Sequence, residues 1–571
     1  MSAAVSSAIT YRAPLADLGF VLTQVVGLGQ VTAQARFAHA TPETVAAVLA
    51  EAGRLAQDVL APLNPAGDAR PARLENGVVL TPPGFAAGYR AIAEGGWVGS
   101  STAPEFGGMG LPMAVTAAVN EMFAGACLAL QLNPLLTQGQ IEALSVHGSD
   151  AIRAVYLPKL VSGAWNGTMD LTEPQAGSDV GALRTRAEAL ADGSYAVTGQ
   201  KIYITWGDAD FMANTCHLVL ARLPDAVAGT AGISLFLVPK FLPDADGGAG
   251  QRNAVSVVSL EHKLGLHGSP TCVMQFDAAV GWLVGAPHRG MAAMFTMMNN
   301  ARLGVGVQGI GVAEAALQRA VAFAELRVQG RTALGDGPII GHADVRRMLG
   351  VMRAEVFAAR AIALACAVAG DMAAATGDAA WRARAALLVP IAKAYGTDVG
   401  SSVADMAVQV HGGMGFIEET GVAQFLRDVR VTRIYEGTNG IQAMDLVARK
   451  LADGGAAAFA MIDEVVAAAE AAGGDLAGEV AGAARDLRRT TEGLVAMEMV
   501  DRQAGAAAYL RAFALVLGAH FHLRAALADP ARRALARVAV GRVLPEYHGL
   551  LAQVRLGAGD LFALSAGDMG A

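Results

Sequence analysis

Cysteine is scarce in this chain: Cys127, Cys216, Cys272 and Cys366 are the four in 571 residues. They lie far apart, with no CxxC pair and no histidine at metal-ligand spacing. That argues against a disulfide framework or a zinc site and fits a reducing compartment. Charge is sparse too, at 16% of residues, and the formal net charge is −8. A phosphate backbone is bound mainly by neutralising it, so general nucleic-acid affinity is not expected. A small anion is not excluded, because it needs only a local arginine or a helix N-terminus. The opening MSAAVSSAITYRAPLADLGF lacks a basic region followed by a long apolar run, so no signal peptide is expected. Apolar stretches such as AYLRAFALVLGAHFHLRAALA are broken by Arg511, His520, His522 and Arg524, and none is expected to span a bilayer. The expectation is a soluble cytoplasmic protein without a membrane partner.

What the chain does have is apolar surface. Hydrophobic residues make up 53% of it, alanine is abundant, and alanine has the best intrinsic helix propensity. The length suggests three to five structural units, mostly helical. After a segment covering 1–40, Thr41 with Glu43 and Thr44 marks a helix start, and Pro62 with the stretch 64–71 is expected to end that element. Helical patterning resumes to about 164, interrupted by APEFGGMGLP at 103–112. From 165 to 288 come SYAVTG, KIYITW, HLVLARL, ISLFLVP, AVSVVSL and TCVMQF, short β-branched and aromatic segments between turn residues. They predict an antiparallel β domain. A helical bundle is expected over 289–452, then a Gly/Ala joint, then further helices over 460–571.

Four segments carry chemistry. LTEPQAGSDVG at 171–181 sets Thr172, Ser178, two carboxylates and glycines in a turn-rich stretch; a plain surface loop would also look like this. GQKIYITWGDAD at 199–210 puts Tyr203 and Thr205 on one strand face, where an aromatic and a hydroxyl can meet a flat heteroaromatic ring. A half-buried strand is the ordinary alternative. QVHGGMGF at 409–416 and RIYEGTNGIQ at 433–442 offer glycines that let backbone approach a phosphate or a ring. Glu436 lies in surroundings apolar enough for burial, where a carboxylate is costly unless paired or used. Burial would raise its pKa and strengthen it as a base; a turn-capping glutamate is the alternative.

Together with PEFGG at 104–108, MNNARLGVG around Arg302 and FAELRVQGR at 323–331, this ordered set over residues 40–450 resembles the acyl-CoA dehydrogenase family. The resemblance implies a fold of an N-terminal helical domain, a middle β domain and a four-helix bundle, here with a C-terminal helical extension. It implies FAD as cofactor. Met169, Leu171, Thr172 and Ser178 resemble the loop that contacts the flavin, and Tyr203, Ile204 and Thr205 the tripeptide under the isoalloxazine, with tyrosine where many relatives have tryptophan. Arg327 and Gln329 resemble a pair reaching the FAD pyrophosphate across a subunit boundary, although Gly330 stands where relatives carry an aromatic. Gln409, Gly412 and Gly413 match the adenosine-diphosphate loop, and Thr438 and Gly440 the residues just after the base.

The implied reaction is α,β-dehydrogenation of an acyl-CoA to the trans-2-enoyl-CoA, with Glu436 taking the α-proton. The developing carbonyl charge must meet donors placed in advance; in relatives these are the backbone N–H of the glutamate and a ribityl hydroxyl. Ser178, Asn299, Arg302, Tyr435 and Gly437 match positions that line the thioester or CoA site, with a structural ion pair as the alternative for Arg302. YRAPLADLGFVL, EHKLGLHGSPTCVM and the C-terminal helices resemble a bacterial branch acting on 3-methylthiopropanoyl-CoA, whose near relatives take short or medium acyl chains. The family implies an electron-transfer flavoprotein as acceptor, and a homodimer is expected. The alternatives are an acyl-CoA oxidase and a DNA-associated alkylation-response flavoprotein. Against the latter, residues beyond Lys450 hold eleven arginines, no lysine and fourteen acids, the wrong sign for a phosphate partner.

Overall fold

The computed structural model describes residues 10–570. The chain divides into two compact units: residues up to 53, 112–125 and from 302 onward form one, and 54–111 with 126–301 form the other.

The second unit is built on a seven-stranded sheet. Its strands are β1 (Asn166–Asp170), β2 (Arg186–Ala189), β3 (Tyr195–Thr205), β4 (Thr215–Arg222), β5 (Ile233–Pro239), β6 (Val255–Leu260) and β7 (Thr271–Val284). Alternate apolar residues drive it: Val197, Ile204, Val219, Phe236 and Phe276 meet in one core, each at most 2% exposed. Two expectations need correction. SYAVTG and KIYITW are one continuous strand, β3, because glycine at 199 lets β2 lie against it; a Cβ there would meet Thr185 Oγ1 at 2.3 Å. The sheet is also not purely antiparallel, since β1 runs parallel to β4, with Asn166 opposite Thr215. Upstream, the helix from Pro42 ends at Leu60, just before Pro62 as expected, but the stretch after it is not a plain break. A further helix covers Leu63–Ala69, and an unexpected two-stranded hairpin, Arg73–Glu75 with Val78–Leu80, follows it.

The first unit is helical. Helix α1 (Gly290–Leu326) enters it at residue 302, and α2 (Ala343–Thr376) and α3 (Ala379–His411) pack on each other. Small residues let α1 and α3 touch backbone to backbone: a Cβ on Gly306 would lie 2.6 Å from the Ala392 carbonyl oxygen, and one on Gly309 2.4 Å from that of Gly396. This contact brings Arg302 and Lys393 to the same end of the pair. The helices after residue 456 are not a body apart, because α5 (Ala506–Ala528) packs on α2, α3 and the short α4 (Asn439–Asp445).

A buried charge cluster fastens the same unit. The Arg360 guanidinium, fully buried, donates to Glu121 at 2.6 Å and Glu314 at 2.7 Å. Asp17 accepts from Arg353 and, at 2.8 Å, from Arg532, whose guanidinium also lies 3.8 Å from the Phe20 ring centroid. Asp17 and Arg532 thus tie the first and last thirds of the chain together. Among the described residues three helices, Met113–His147, Ala343–Thr376 and Ala506–Ala528, are long and apolar enough to cross a membrane by length and composition alone. Their apolar windows are 94%, 89% and 83% buried against protein.

Candidate active site

In the β unit, the loop after β1 is pinned by one carboxylate. Glu173, 4% exposed, accepts from the Lys201 ammonium at 2.8 Å, the Thr185 hydroxyl at 2.6 Å and the Arg184 backbone N–H at 2.7 Å. Lys201 also donates to the Leu171 carbonyl at 3.1 Å. These partners hold the Glu173 carboxyl down at about 2, against burial, which pushes it up. The Ile202 backbone N–H donates to the Thr172 carbonyl at 2.9 Å, so Thr172 is fixed beside β3. Met169, Leu171 and Thr172 are half-buried there, and Ser178 is exposed.

On β3 itself, Tyr203 is 60% exposed and its backbone stands at φ +61°. A bulky residue in that region is strained, and such strain clusters at functional sites. Thr205 is half-buried, whereas the Ile204 side chain points into the sheet core, leaving only its backbone for a ligand. Asn299 is exposed on α1.

In the helical unit, the turn before α4 holds Glu436 at φ +55° and Gly437 at φ +79°. Both carbonyls of this left-handed pair are held. Gln442 Nε2 donates to the Glu436 oxygen at 3.1 Å, and Lys393 Nζ donates to the Gly437 oxygen at 2.8 Å. The Thr438 hydroxyl caps α4 by accepting from the Ile441 N–H at 3.2 Å, and Gly440 lies in its first turn. The Tyr435 hydroxyl donates to Gln308 Oε1 at 2.6 Å. Arg302, 4% exposed, lies 3.4 Å from Asp445, the ion pair that was the alternative reading for it.

Burial pushes the Glu436 carboxyl up to about 7, although Arg302 and Lys393 pull it down. Burial likewise pushes the Lys393 ammonium down to about 7, against the attraction of Glu436 and Asp398. A carboxylate poised near neutrality between two cations is suited to accept a proton from carbon at physiological pH. Lys393, Gln442 and Glu173 were not assigned roles from sequence. The available signal for Lys393 was a lone charge in the otherwise apolar run LLVPIAKAY, where burial without acceptors would be costly.

The remaining expected residues gather at the far ends of α1 and α3, which the stacked rings of Phe323 and His411 join at 4.2 Å. Arg327 follows α1 directly, and Gln329 is exposed on a hairpin, its carbonyl 2.8 Å from His342 Nε2. Gln409, Gly412 and Gly413 are exposed at the end of α3, and a Cβ on either glycine would find nothing within 4 Å. Open space beside glycine backbone and a carboxamide fits a diphosphate and its adenosine. An exposed tyrosine flanked by the threonines at 172 and 205 fits a flavin ring. The residues present therefore suit FAD.

The chain matches the acyl-CoA dehydrogenase N-terminal domain over residues 42–164, the middle domain over 168–279 and the C-terminal domain over 288–451. It is 47% identical over 491 residues to the 3-methylmercaptopropionyl-CoA dehydrogenase of Ruegeria pomeroyi, covering 85% of this chain and 83% of that one. Against the broad-specificity linear acyl-CoA dehydrogenase FadE5 of Mycobacterium tuberculosis the identity is 35% over 523 residues, covering 87% and 83%. Among solved structures, Caenorhabditis elegans ACDH-11 in complex with C11-CoA superposes with a TM-score of 0.79 at 20% identity, over 93% of this chain and 91% of that one. A Bacillus anthracis acyl-CoA dehydrogenase complexed with FAD gives 0.68 at 22%, over 85% and 84%. The chain belongs to the acyl-CoA dehydrogenase family and is an FAD-dependent oxidoreductase.

Proposed function

We propose that this enzyme desaturates a short acyl-CoA thioester between Cα and Cβ, with Glu436 as the base. Its first candidate substrate is 3-methylthiopropanoyl-CoA, and short or medium straight chains are the second. The observation that carries the assignment of the base is the Glu436 turn. A half-buried carboxyl, raised to about 7, is held at φ +55° by donors on its own and the following carbonyl. Such a group takes the α-proton in the pH range where the cell works. FAD, when bound, accepts the β-hydride. Tyr203, Thr172 and Thr205 would lie against its ring, while Gln409, Gly412 and Gly413 would take its adenosine diphosphate end, with Arg327 and Gln329 serving a partner subunit's cofactor. Arg302 orders the thioester side of the turn, and Ser178 and Asn299 meet the CoA arm.

The thioether preference is supported by the 47% identity to the Ruegeria pomeroyi enzyme and its name. The breadth of chain length is supported by the relationship to the mycobacterial broad-specificity enzyme. We place the enzyme in the cytoplasm as a homodimer that passes electrons to an electron-transfer flavoprotein. Anaerobic titration of FAD-loaded protein with 3-methylthiopropanoyl-, butanoyl-, octanoyl- and palmitoyl-CoA tests the reading. Bleaching of the flavin band is expected, fastest with the thioether. No bleaching with any of them would refute it.

A further inference from the structure

We propose that Lys393 is a positioning residue for the base, clamping the left-handed turn that aims Glu436; this rests on Glu436 being the base. A non-glycine residue in the left-handed region costs about 1–2 kcal/mol, and it persists only where its surroundings over-determine it. Here the determination comes from α3. The Lys393 ammonium, 0% exposed, spends one donor on the Gly437 carbonyl at 2.8 Å and another on Asn439 Oδ1 at 2.9 Å. Asn439 in turn is fixed on three sides: its amide donates to the Ala394 carbonyl at 3.2 Å, the Thr397 hydroxyl at 3.0 Å and Asp398 Oδ1 at 2.9 Å. Arg433, at the start of the turn, pairs with the same Asp398 at 2.6 Å. The helix face Lys393–Thr397–Asp398 therefore grips the turn on both sides of Glu436, while Gln442 holds it from α4.

A neutral donor would satisfy the carbonyl equally well. What the lysine adds, in its protonated form, is charge beside a carboxylate, although burial pushes that ammonium down to about 7. Arg302 from α1 and Lys393 from α3 act on the Glu436 carboxyl; Asp398 and Arg433 act in turn on Lys393, and Asp445 with Arg449 on Arg302. Removing one of the two cations that pull on the carboxyl moves its titration upward and loosens its aim, with no expected effect on a substrate that Lys393 does not touch. A misplacement near 1 Å is worth roughly 10²-fold in rate.

The test is stopped-flow anaerobic reduction of the FAD-loaded Lys393→Met variant by butanoyl-CoA and by 3-methylthiopropanoyl-CoA across pH 6–9. The expected result is acyl-CoA affinity within about threefold of the parent, a limiting reduction rate lower by roughly 10²-fold, and a rate–pH midpoint displaced upward. Reduction within threefold of the parent at an unchanged midpoint overturns the proposal. If Lys393→Met does not accumulate as holoenzyme, Asn439→Ala decides the matter, since it removes a second acceptor of the same ammonium and leaves its charge. A fall of about tenfold or more with unchanged affinity supports the clamp, and a parental rate overturns it. An inert Glu436→Gln enzyme beside a fast Lys393→Met enzyme sinks the clamp alone, whereas a fast Glu436→Gln enzyme sinks the assignment of the base itself.

Discussion

Arg302 Nη1 and Asp445 Oδ2 lie 3.4 Å apart with both side chains at most 5% exposed, a buried ion pair directly behind the Glu436 turn. Asp445 also accepts from Arg449 Nε at 2.5 Å, so one carboxylate anchors two guanidinium groups. The pair fixes Arg302 while leaving its positive field on Glu436, which is one of the two pulls that oppose burial there.

Losing that anchor should be costly. Breaking a buried pair by removing one partner costs about 3–5 kcal/mol, because the other charge is left uncompensated. Asp445→Ala is therefore expected to lower stability by about 3 kcal/mol in denaturant titration, with Arg302→Ala smaller because Asp445 keeps Arg449. Equal and negligible effects for both would show that the pair contributes nothing.

The raised titration of Glu436 has two consequences of opposite appearance. Catalysis needs the carboxylate, so kcat/KM should rise with pH through about 7 and flatten above it. Stability runs the other way. Between the ordinary carboxylate range and 7 the folded state binds more protons than the unfolded one, so this group withdraws stability as pH rises. The Glu436→Gln variant escapes that loss. It should match the parent near pH 4 and exceed it at pH 8, by thermal denaturation at the two values. A stability gap that shrinks toward high pH would contradict the burial assigned to this carboxyl.

Glu173 shows the reverse sign. Its carboxyl is held at about 2 by Lys201, Thr185 and Arg184, so the stability it contributes is present above the ordinary carboxylate range and is lost as pH falls toward 2. Lys201→Met leaves Glu173 buried with fewer donors and unties the Leu171 carbonyl. About 3 kcal/mol of stability should go, together with retention of FAD on a desalting column, read by the ratio of flavin to protein absorbance. A variant that keeps both would free the 171–178 loop from this anchor.

How much of this could be read in the sequence depended on whether a residue's meaning is local. Tyr203 and Glu436 were legible as site candidates because each sits in a short motif, but their left-handed backbone was not, and Tyr203 read as an ordinary strand residue. The strands of the sheet were legible because alternation follows from the pleat, although Gly199, which reads as a break, instead allows β2 to pack close. Lys393 was not legible. It lies 43 residues before Glu436 in an alanine-rich helix, and it acquires a role only when Gly306 and Gly309 let α1 and α3 close on each other. Pro62 marked the end of the first helix correctly, but it also sits at the N-cap of Leu63–Ala69, where proline is tolerated because no intrahelical donor is needed, so the helix after it was missed.

The cluster at Arg360 makes a larger demand than the site does. Its guanidinium is fully buried between Glu121 and Glu314. Arg360→Met would leave two buried carboxylates facing each other, and a loss of about 4 kcal/mol is expected in chemical denaturation. Arg532→Ala should cost less, because Arg532 is partly exposed and Asp17 retains Arg353. The opposite order would mean that the tie between the two chain ends, not the buried arginine, holds the unit.

The most direct test of the account is the rate at which butanoyl-CoA bleaches the FAD of the Glu436→Gln enzyme without oxygen. The variant is expected to hold FAD, bind acyl-CoA and reduce at least about 10³-fold more slowly than the parent, because only the proton acceptor is gone. Bleaching at close to the parental rate would contradict the assignment of Glu436 as the base.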